Sequence, residues 1–331
     1  MVWTTIWSHA QRGIANYSEG NGTVDLSFKQ ILSVEQIRLV FVNEYGHQRQ
    51  SIEALTVQSN EWIEQIGAFS VDPGKYHYTP AILIDSEAAK WKIKFEARPM
   101  ESGYAFNDAD FLPIKGHTDF CTGLLAIEAD IEGECLIALG DSLTEGATWT
   151  APLQRKLRSN NLFLVNQGIN GSFLLKDSSD DQSTDKNQLF YGHDSFTRLK
   201  RCLESHHNVK KVIIFFGAND LIHGELDLKH FQLAVQRLID YCVERGVDYQ
   251  LCTLTPCLGY PGMDTTKETV RQTINQWLRE NNEQKLWDFA AIVEGNGRLI
   301  SNYDSGDHLH FNAIGGLMIA RQIVSDFFKG E

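Results

Sequence analysis

The stretch Leu136-Ile-Ala-Leu-Gly-Asp-Ser-Leu-Thr-Glu-Gly146 decides the fold. Its apolar run stops at Gly140, and a short polar segment containing Asp141 and Ser142 leads to a second glycine at Gly146. Such a run reads as a buried strand, and the turn after it sets Ser142 at the strand's carboxyl end, where open α/β sheets hold their ligands. Ser142 is thereby a candidate nucleophile. Asp and Ser are also ordinary helix caps, so this segment by itself leaves both readings open.

Downstream, apolar runs of strand length alternate with helical patterns, which is the signature of βαβ units. Strands are predicted at Cys135 to Leu139, Phe163 to Asn166, Lys211 to Phe216, Tyr249 to Leu254 and Lys285 to Trp287. Helices are predicted near Thr150 to Ser159, Ser195 to Ser205, Leu228 to Arg245, Lys267 to Glu280 and Asn312 to Phe328. Phe231, Val235, Leu238 and Cys242 recur at three- and four-residue spacing and mark one buried helix face. The pattern predicts a three-layer α/β/α sandwich on a parallel sheet.

Upstream the period is different. Gln36-Ile-Arg-Leu-Val-Phe-Val42 and Lys90-Trp-Lys-Ile-Lys-Phe95 read as strands, the second with Trp91, Ile93 and Phe95 inward and Lys90, Lys92 and Lys94 outward. Asn43-Glu-Tyr-Gly46 and Asp72-Pro-Gly74 supply turns. An all-β sandwich is expected over residues 1–130 and the α/β domain over residues 131–331, joined only by Ile131-Glu-Gly-Glu134. So short a join is no flexible tether, and it predicts a rigid domain interface.

The chain has 331 residues with 43 acidic and 30 basic side chains, a formal net charge of −13. That balance disfavours nucleic acid and anionic membrane surfaces as partners, since both attract basic patches. A small neutral or bulky polar substrate fits better. No run reaches the length of a membrane span, and Met1-Val-Trp-Thr-Thr-Ile-Trp7 lacks the pattern of a signal peptide, which predicts a cytoplasmic protein. The cysteines, Cys121, Cys135, Cys202, Cys242, Cys252 and Cys257, show no CxxC spacing and read as buried free thiols. Asp177, Asp180, Asp181 and Asp185 match a calcium loop only in charge, because Gln182 and Gln188 stand where glycine and glutamate are needed; residues 176–187 read as a solvated loop or lid. His206-His207 is expected as a favourable charge at a helix end. Tyr260-Pro-Gly262 reads as a surface turn or as lining for an acyl pocket, and Asp220 and Asp288 as loop supports.

A serine needs a base to take its proton and a third group to orient that base. Near the carboxyl terminus both Asp307/His310 and Asp304/His308 have a spacing that lets the pair meet. Four short stretches, Gly140-Asp-Ser-Leu143, Asn166-Gln-Gly-Ile-Asn-Gly171, Gly217-Ala-Asn-Asp220 and Asp307-His-Leu-His310, occur in the order and at the spacing of the motifs of the GDSL or SGNH hydrolases, which this sequence resembles from about residue 134 to 328. The resemblance implies a metal- and cofactor-independent serine esterase, with Ser142 as nucleophile, His310 as base and Asp307 orienting it. It also implies an oxyanion hole made by the backbone N–H groups of Ser142 and Gly171 and the side-chain amide of Asn219. His308 then reads as a neighbour, and Phe311 stands where the family commonly has proline. A looser resemblance, from Phe28-Lys-Gln-Ile-Leu-Ser33 through Asn43-Glu-Tyr-Gly46, is to the jelly-roll-like domain that precedes the hydrolase in some relatives. Two-domain relatives imply removal of acetyl or other short acyl groups from a carbohydrate or polyol. The alternatives are a lysophospholipase or thioesterase for longer chains, and a carbohydrate-binding protein with an idle hydrolase domain.

Overall fold

The computed structural model describes residues 2–14, 22–29, 33–88, 90–105, 120–177 and 189–327. Its amino-terminal half is a run of antiparallel strands: β1 (Trp3–Ser8), β2 (Arg12–Gly13), β3 (Thr23–Lys29), β4 (Gln36–Val42), β5 (Gln50–Ser59), β6 (Trp62–Ile66), β7 (Phe69–Val71), β8 (Tyr76–Tyr78), β9 (Ile82–Leu83), β10 (Lys90–Arg98), β11 (Ser102–Ala105), β12 (Phe120–Thr122) and β13 (Leu124–Asp130). One sheet runs β1-β13-β4-β8, with β9 also on β4, and a second runs β3-β10-β5-β6, with β7 also on β5. The alternation read in β10 is what makes them a sandwich. Trp91, Ile93 and Phe95 are buried against the opposite sheet, with the Phe41 and Phe95 rings 5.1 Å apart edge to face, while Lys94 pairs with Asp25 at the surface. Each such side chain contributes about 1.5–3 kcal/mol of burial. A small third sheet, β12-β11-β2, continues toward the other half of the molecule.

Only residues 131–133 separate β13 from β14 (Glu134–Gly140), the strand that precedes Ser142. With β15 (Leu162–Gly168), β16 (Val209–Phe215), β17 (Asp248–Cys252) and β18 (Leu286–Trp287) it forms a parallel sheet in the order β15-β14-β16-β17-β18. The chain therefore leaves β14 toward one edge and later returns to its other side, and this reversal opens a crevice at the carboxyl ends of the strands. Helices α1 (Ser142–Glu145), α2 (Thr150–Leu157), α3 (Ser195–Ser205), α4 (Ala218–His223), α5 (Leu228–Glu244), α6 (Thr265–Asn281), α7 (Phe289–Val293) and α8 (Ala313–Phe327) fill the outer layers, α2, α7 and α8 packing together and α3, α5 and α6 packing together. The buried face of α5 carries Phe231, Val235, Leu238 and Cys242, as their spacing predicts. All six cysteines are free and buried. No helix among the described residues is long and apolar enough to cross a membrane.

The two halves share buried polar contacts as well as apolar ones. β1 packs along β15, and Phe163 of β15 belongs to the sandwich core. Ser8 sits between Gln167 Nε2 at 2.6 Å and His206 Nε2 at 2.8 Å. His206 Nδ1 faces the Cys202 carbonyl at 3.0 Å, so the neutral ring donates there and accepts from the Ser8 hydroxyl, which in turn accepts from Gln167. This corrects the expectation for His206-His207. Burial lowers the His206 pKa to about 4, so it is a neutral interface group and not a charge at a helix end. His207 instead meets buried Glu128 of β13 at 2.8 Å, and Arg38 holds the same carboxylate at 2.6 Å.

Candidate active site

Ser142 stands one residue beyond the end of β14 and begins α1, which the intervening Asp141 caps by accepting the Leu143 N–H at 3.0 Å. Both readings of the segment are therefore realised: it caps a helix and presents a serine. Burial raises the Asp141 carboxyl to about 7, against the pull of the Leu143 N–H and of His310. The crevice geometry comes from register. Gly140 pairs with Gly168 on one side and Phe215 on the other, so the loops after β14, β15 and β16 emerge together. Gly168 lies so close to α1 that a β-carbon there would stand 2.1 Å from the Glu145 nitrogen.

From the far end of the chain, the turn before α8 brings Asp307 and His310 to Ser142. His310 Nε2 is 2.8 Å from Ser142 Oγ, and its Nδ1 is 2.6 Å from Asp307 Oδ2. The Nδ1–H donates to the carboxylate, which leaves Nε2 free to accept the serine proton. Asp307 Oδ1 accepts the Leu309 and His310 N–H groups at 3.0 and 2.9 Å. Partial burial pushes this carboxyl up, but the His310 side chain and these two N–H groups outweigh it and hold it at about 2. Asn312 stops the turn and starts α8 by accepting the Ile314 and Gly315 N–H groups. The competing pair forms too, His308 Nδ1 to Asp304 Oδ2 at 2.8 Å, but the His308 side chain is 53% exposed and its ring lies beside Gly259, while His310 is the histidine that meets Ser142. Phe311 is buried, and its backbone bridges to Asp304.

The remaining predicted residues lie on the loops after β15 and β16. Gly171 has a φ of 77°, a conformation favouring glycine, and a β-carbon there would be 2.4 Å from the Tyr191 ring. Asn219, buried in the first turn of α4, donates to the Ser172 carbonyl at 3.0 Å, which ties its amide to the residue after Gly171. Asp220 supports the same loop by accepting the Leu174 and Leu175 N–H groups at 2.7 and 3.0 Å. Asp288 caps α7 through Ala291 and pairs with Arg279. Tyr260 stands edge-on to His310, with ring centroids 6.5 Å apart. Of the acidic loop, Asp177 is described and caps the segment before α3 by accepting the Asp194 N–H; Asp180, Asp181 and Asp185 lie outside the described residues.

One central residue carries no motif. Arg198 of α3 is buried and donates to the Gly140 carbonyl and to Ser172 Oγ, both at 2.8 Å, and also to the Gln167 carbonyl. A single guanidinium thus ties together the ends of β14 and β15 and the loop carrying Gly171. The one signal in sequence is a charge on the otherwise apolar Leu199/Cys202 face of its helix. Among the described residues no group of three or more His, Cys, Asp or Glu side chains is arranged to hold a metal ion.

A family model described as GDSL-like Lipase/Acylhydrolase matches residues 138–316. Among solved structures, the chain is similar to a member of the lipolytic G-D-S-L family from Veillonella parvula, at 16% identity and a TM-score of 0.47 over 60% of this chain and 100% of that one. It is also similar to the psychrotrophic esterase EstA from Pseudoalteromonas sp., at 19% identity and a TM-score of 0.44 over 60% and 98%. A family two carbohydrate esterase from Clostridium thermocellum aligns over 96% of each chain, at 14% identity and a TM-score of 0.40. No curated protein sequence matches the chain.

Proposed function

Since the chain belongs to the GDSL-like lipase/acylhydrolase family and is a carboxylic ester hydrolase, we propose that it works through an acyl-enzyme on Ser142 and removes short acyl groups, acetyl foremost, from a carbohydrate or polyol. The observation that carries the mechanism is the unbroken relay from Ser142 Oγ through the His310 ring to Asp307, at 2.8 and 2.6 Å. In this reading Ser142 Oγ attacks the ester carbonyl as His310 Nε2 takes its proton, and the imidazolium is stabilised by the ionised Asp307. The same proton then goes to the departing alkoxide. Water repeats the sequence on the acyl-enzyme and releases the acid. The Ser142 and Gly171 N–H groups and the second N–H of the Asn219 amide serve the oxyanion, each such donor contributing roughly 3 kcal/mol to the transition state.

The substrate class is supported by what flanks the relay. Tyr191, 41% exposed, lies on Gly171, and Tyr260 lies beside His310. Aromatic rings with hydroxyl tips offer an apolar face and a polar edge, which suits a sugar or polyol ring. The net charge of −13 favours a neutral substrate over an anionic lipid surface. A hydrolysis panel tests this, with acetyl, butyryl and octanoyl esters presented on 4-nitrophenol, glycerol and a methyl glycoside. The proposal expects the highest kcat/KM for acetyl groups and for sugar or polyol acceptors; a preference for octanoyl esters would contradict it.

A further inference from the structure

We propose that strand β2 of the sandwich positions the Asn170–Gly171 side of the oxyanion hole, with Arg12 and Glu145 as positioning residues; this rests on the reading of Ser142 and Gly171 given above. Two lines of contact, both involving Arg12, run from β2 to that segment. Beneath it, the Arg12 guanidinium forms an ion pair with Glu145 Oε1, both side chains being nearly buried at 4% and 13% exposure. Glu145 Oε2 in turn accepts the backbone N–H of Asn170 at 2.7 Å, next in the chain to Gly171. Above it, the Gly13 N–H donates to the Leu189 carbonyl at 3.2 Å, and the Arg12 guanidinium stacks over the Phe190 ring at 5.1 Å. The next residue, Tyr191, is the one whose ring rests on Gly171.

The segment that must aim the Gly171 N–H therefore meets two side chains, Glu145, which pairs with Arg12 of β2, and Tyr191, which directly follows the Leu189–Phe190 segment that β2 contacts. β2 itself is fixed to the sandwich, since Ser102 and Gly103 of β11 pair with Gly13 and Arg12, and Gln11 donates to the Leu124 carbonyl at 3.1 Å. A carboxylate that accepts a backbone N–H and is itself neutralised by a buried arginine has little freedom to turn, because either contact is lost if it does. Oxyanion donors act only when aimed at the developing charge, and misplacement by about 1 Å costs on the order of a hundredfold in rate. The sandwich thus contributes to the chemistry of a small ester through position, without touching the substrate.

The test is a double-mutant cycle of Arg12→Met and Glu145→Gln on the full chain, reading kcat and KM for 4-nitrophenyl acetate. A fluorophosphonate phosphonylation rate, which also passes through the oxyanion hole, is measured beside them. The expected result is a fall in kcat of about tenfold to a hundredfold in each variant with KM within about twofold, slower phosphonylation, and a double variant no worse than the poorer single one. Arg12→Lys, which keeps the charge for Glu145 but loses the stack on Phe190, recovers part of the loss. A kcat within about twofold of the parent in both Arg12→Met and Glu145→Gln, or losses that multiply in the double variant, would overturn the proposal. Should Arg12→Met not fold, Arg12→Lys and Glu145→Gln decide it on the same two criteria. Full turnover in Ser142→Ala would remove the underlying reading instead, whatever Arg12 does.

Discussion

At the residue scale, the chemistry of the site is concentrated in short local stretches, and those were legible. Ser142, Asp307 and His310 are reactive types in motif positions, and the structure brings them within hydrogen-bond distance across 168 residues of chain. Arg198, Arg12 and Glu145 were not legible, because what they do depends on partners far away in sequence: Arg198 reaches Gly140 across 58 residues and Arg12 reaches Glu145 across 133. Asp307→Asn should lower kcat by several orders of magnitude, since an amide no longer fixes the Nδ1–H tautomer that leaves Nε2 open. His308→Asn keeps a residue that tolerates the φ of 70° and removes only the hydrogen bond of a half-exposed ring to Asp304, so kcat should stay within about twofold. Equal damage from the two substitutions, measured as kcat for one small ester, would mean that the Asp304/His308 pair does the work.

At the scale of elements, periodicity located every strand of the parallel sheet and the five longer helices; it missed the short helices α1, α4 and α7, which span too few residues for a period to show, and the exact ends of the rest. The helix predicted from Lys267 begins at Thr265 because Asp264 accepts the Lys267 N–H and caps it. The strand predicted to stop at Asn166 runs to Gly168, where pairing with β14 rather than side-chain pattern keeps the chain extended. Two- and three-residue strands such as β8 and β9 carry too few residues for any period to show, and only their pairing with β4 defines them. The element most exposed to a single change is the junction held by Arg198. Arg198→Met should cost about 2–3 kcal/mol in urea unfolding, because it removes the guanidinium donor from the buried Gln167 carbonyl and Ser172 hydroxyl, while the Gly140 carbonyl keeps the Ile169 N–H at 3.1 Å. A loss under about 1 kcal/mol would show that water or a neighbour replaces the guanidinium.

At the scale of the molecule, the short join between β13 and β14 foretold a close interface, but not that buried polar groups would join its apolar contacts. His206 makes that interface pH-sensitive. Its folded pKa, lowered to about 4 by burial, lies below the ordinary value of 6.5, so between these pH values the unfolded chain binds the proton and the folded one does not. Stability is therefore present above about 6.5 and is lost as pH falls toward 4, by up to roughly 3 kcal/mol from this group. A chemical-denaturation series at pH 7, 6, 5 and 4 should show a decline that is shallower in His206→Gln; identical slopes would contradict the linkage. Because Ser8, Gln167 and His206 form one buried chain across the halves, heating should also give a single calorimetric transition. Two separated transitions would mean that the sandwich and the hydrolase fold as independent units.

The central claim is that hydrolysis passes through an ester of Ser142. The most direct measurement is the intact mass of the protein quenched during the turnover of a slowly released aryl ester, followed by mapping of the modified peptide. The account predicts an increase equal to one acyl group, located on the peptide containing Ser142 and absent, together with turnover, in Ser142→Ala. Undiminished hydrolysis in that variant, or an acyl group accumulating on a different residue, would contradict it.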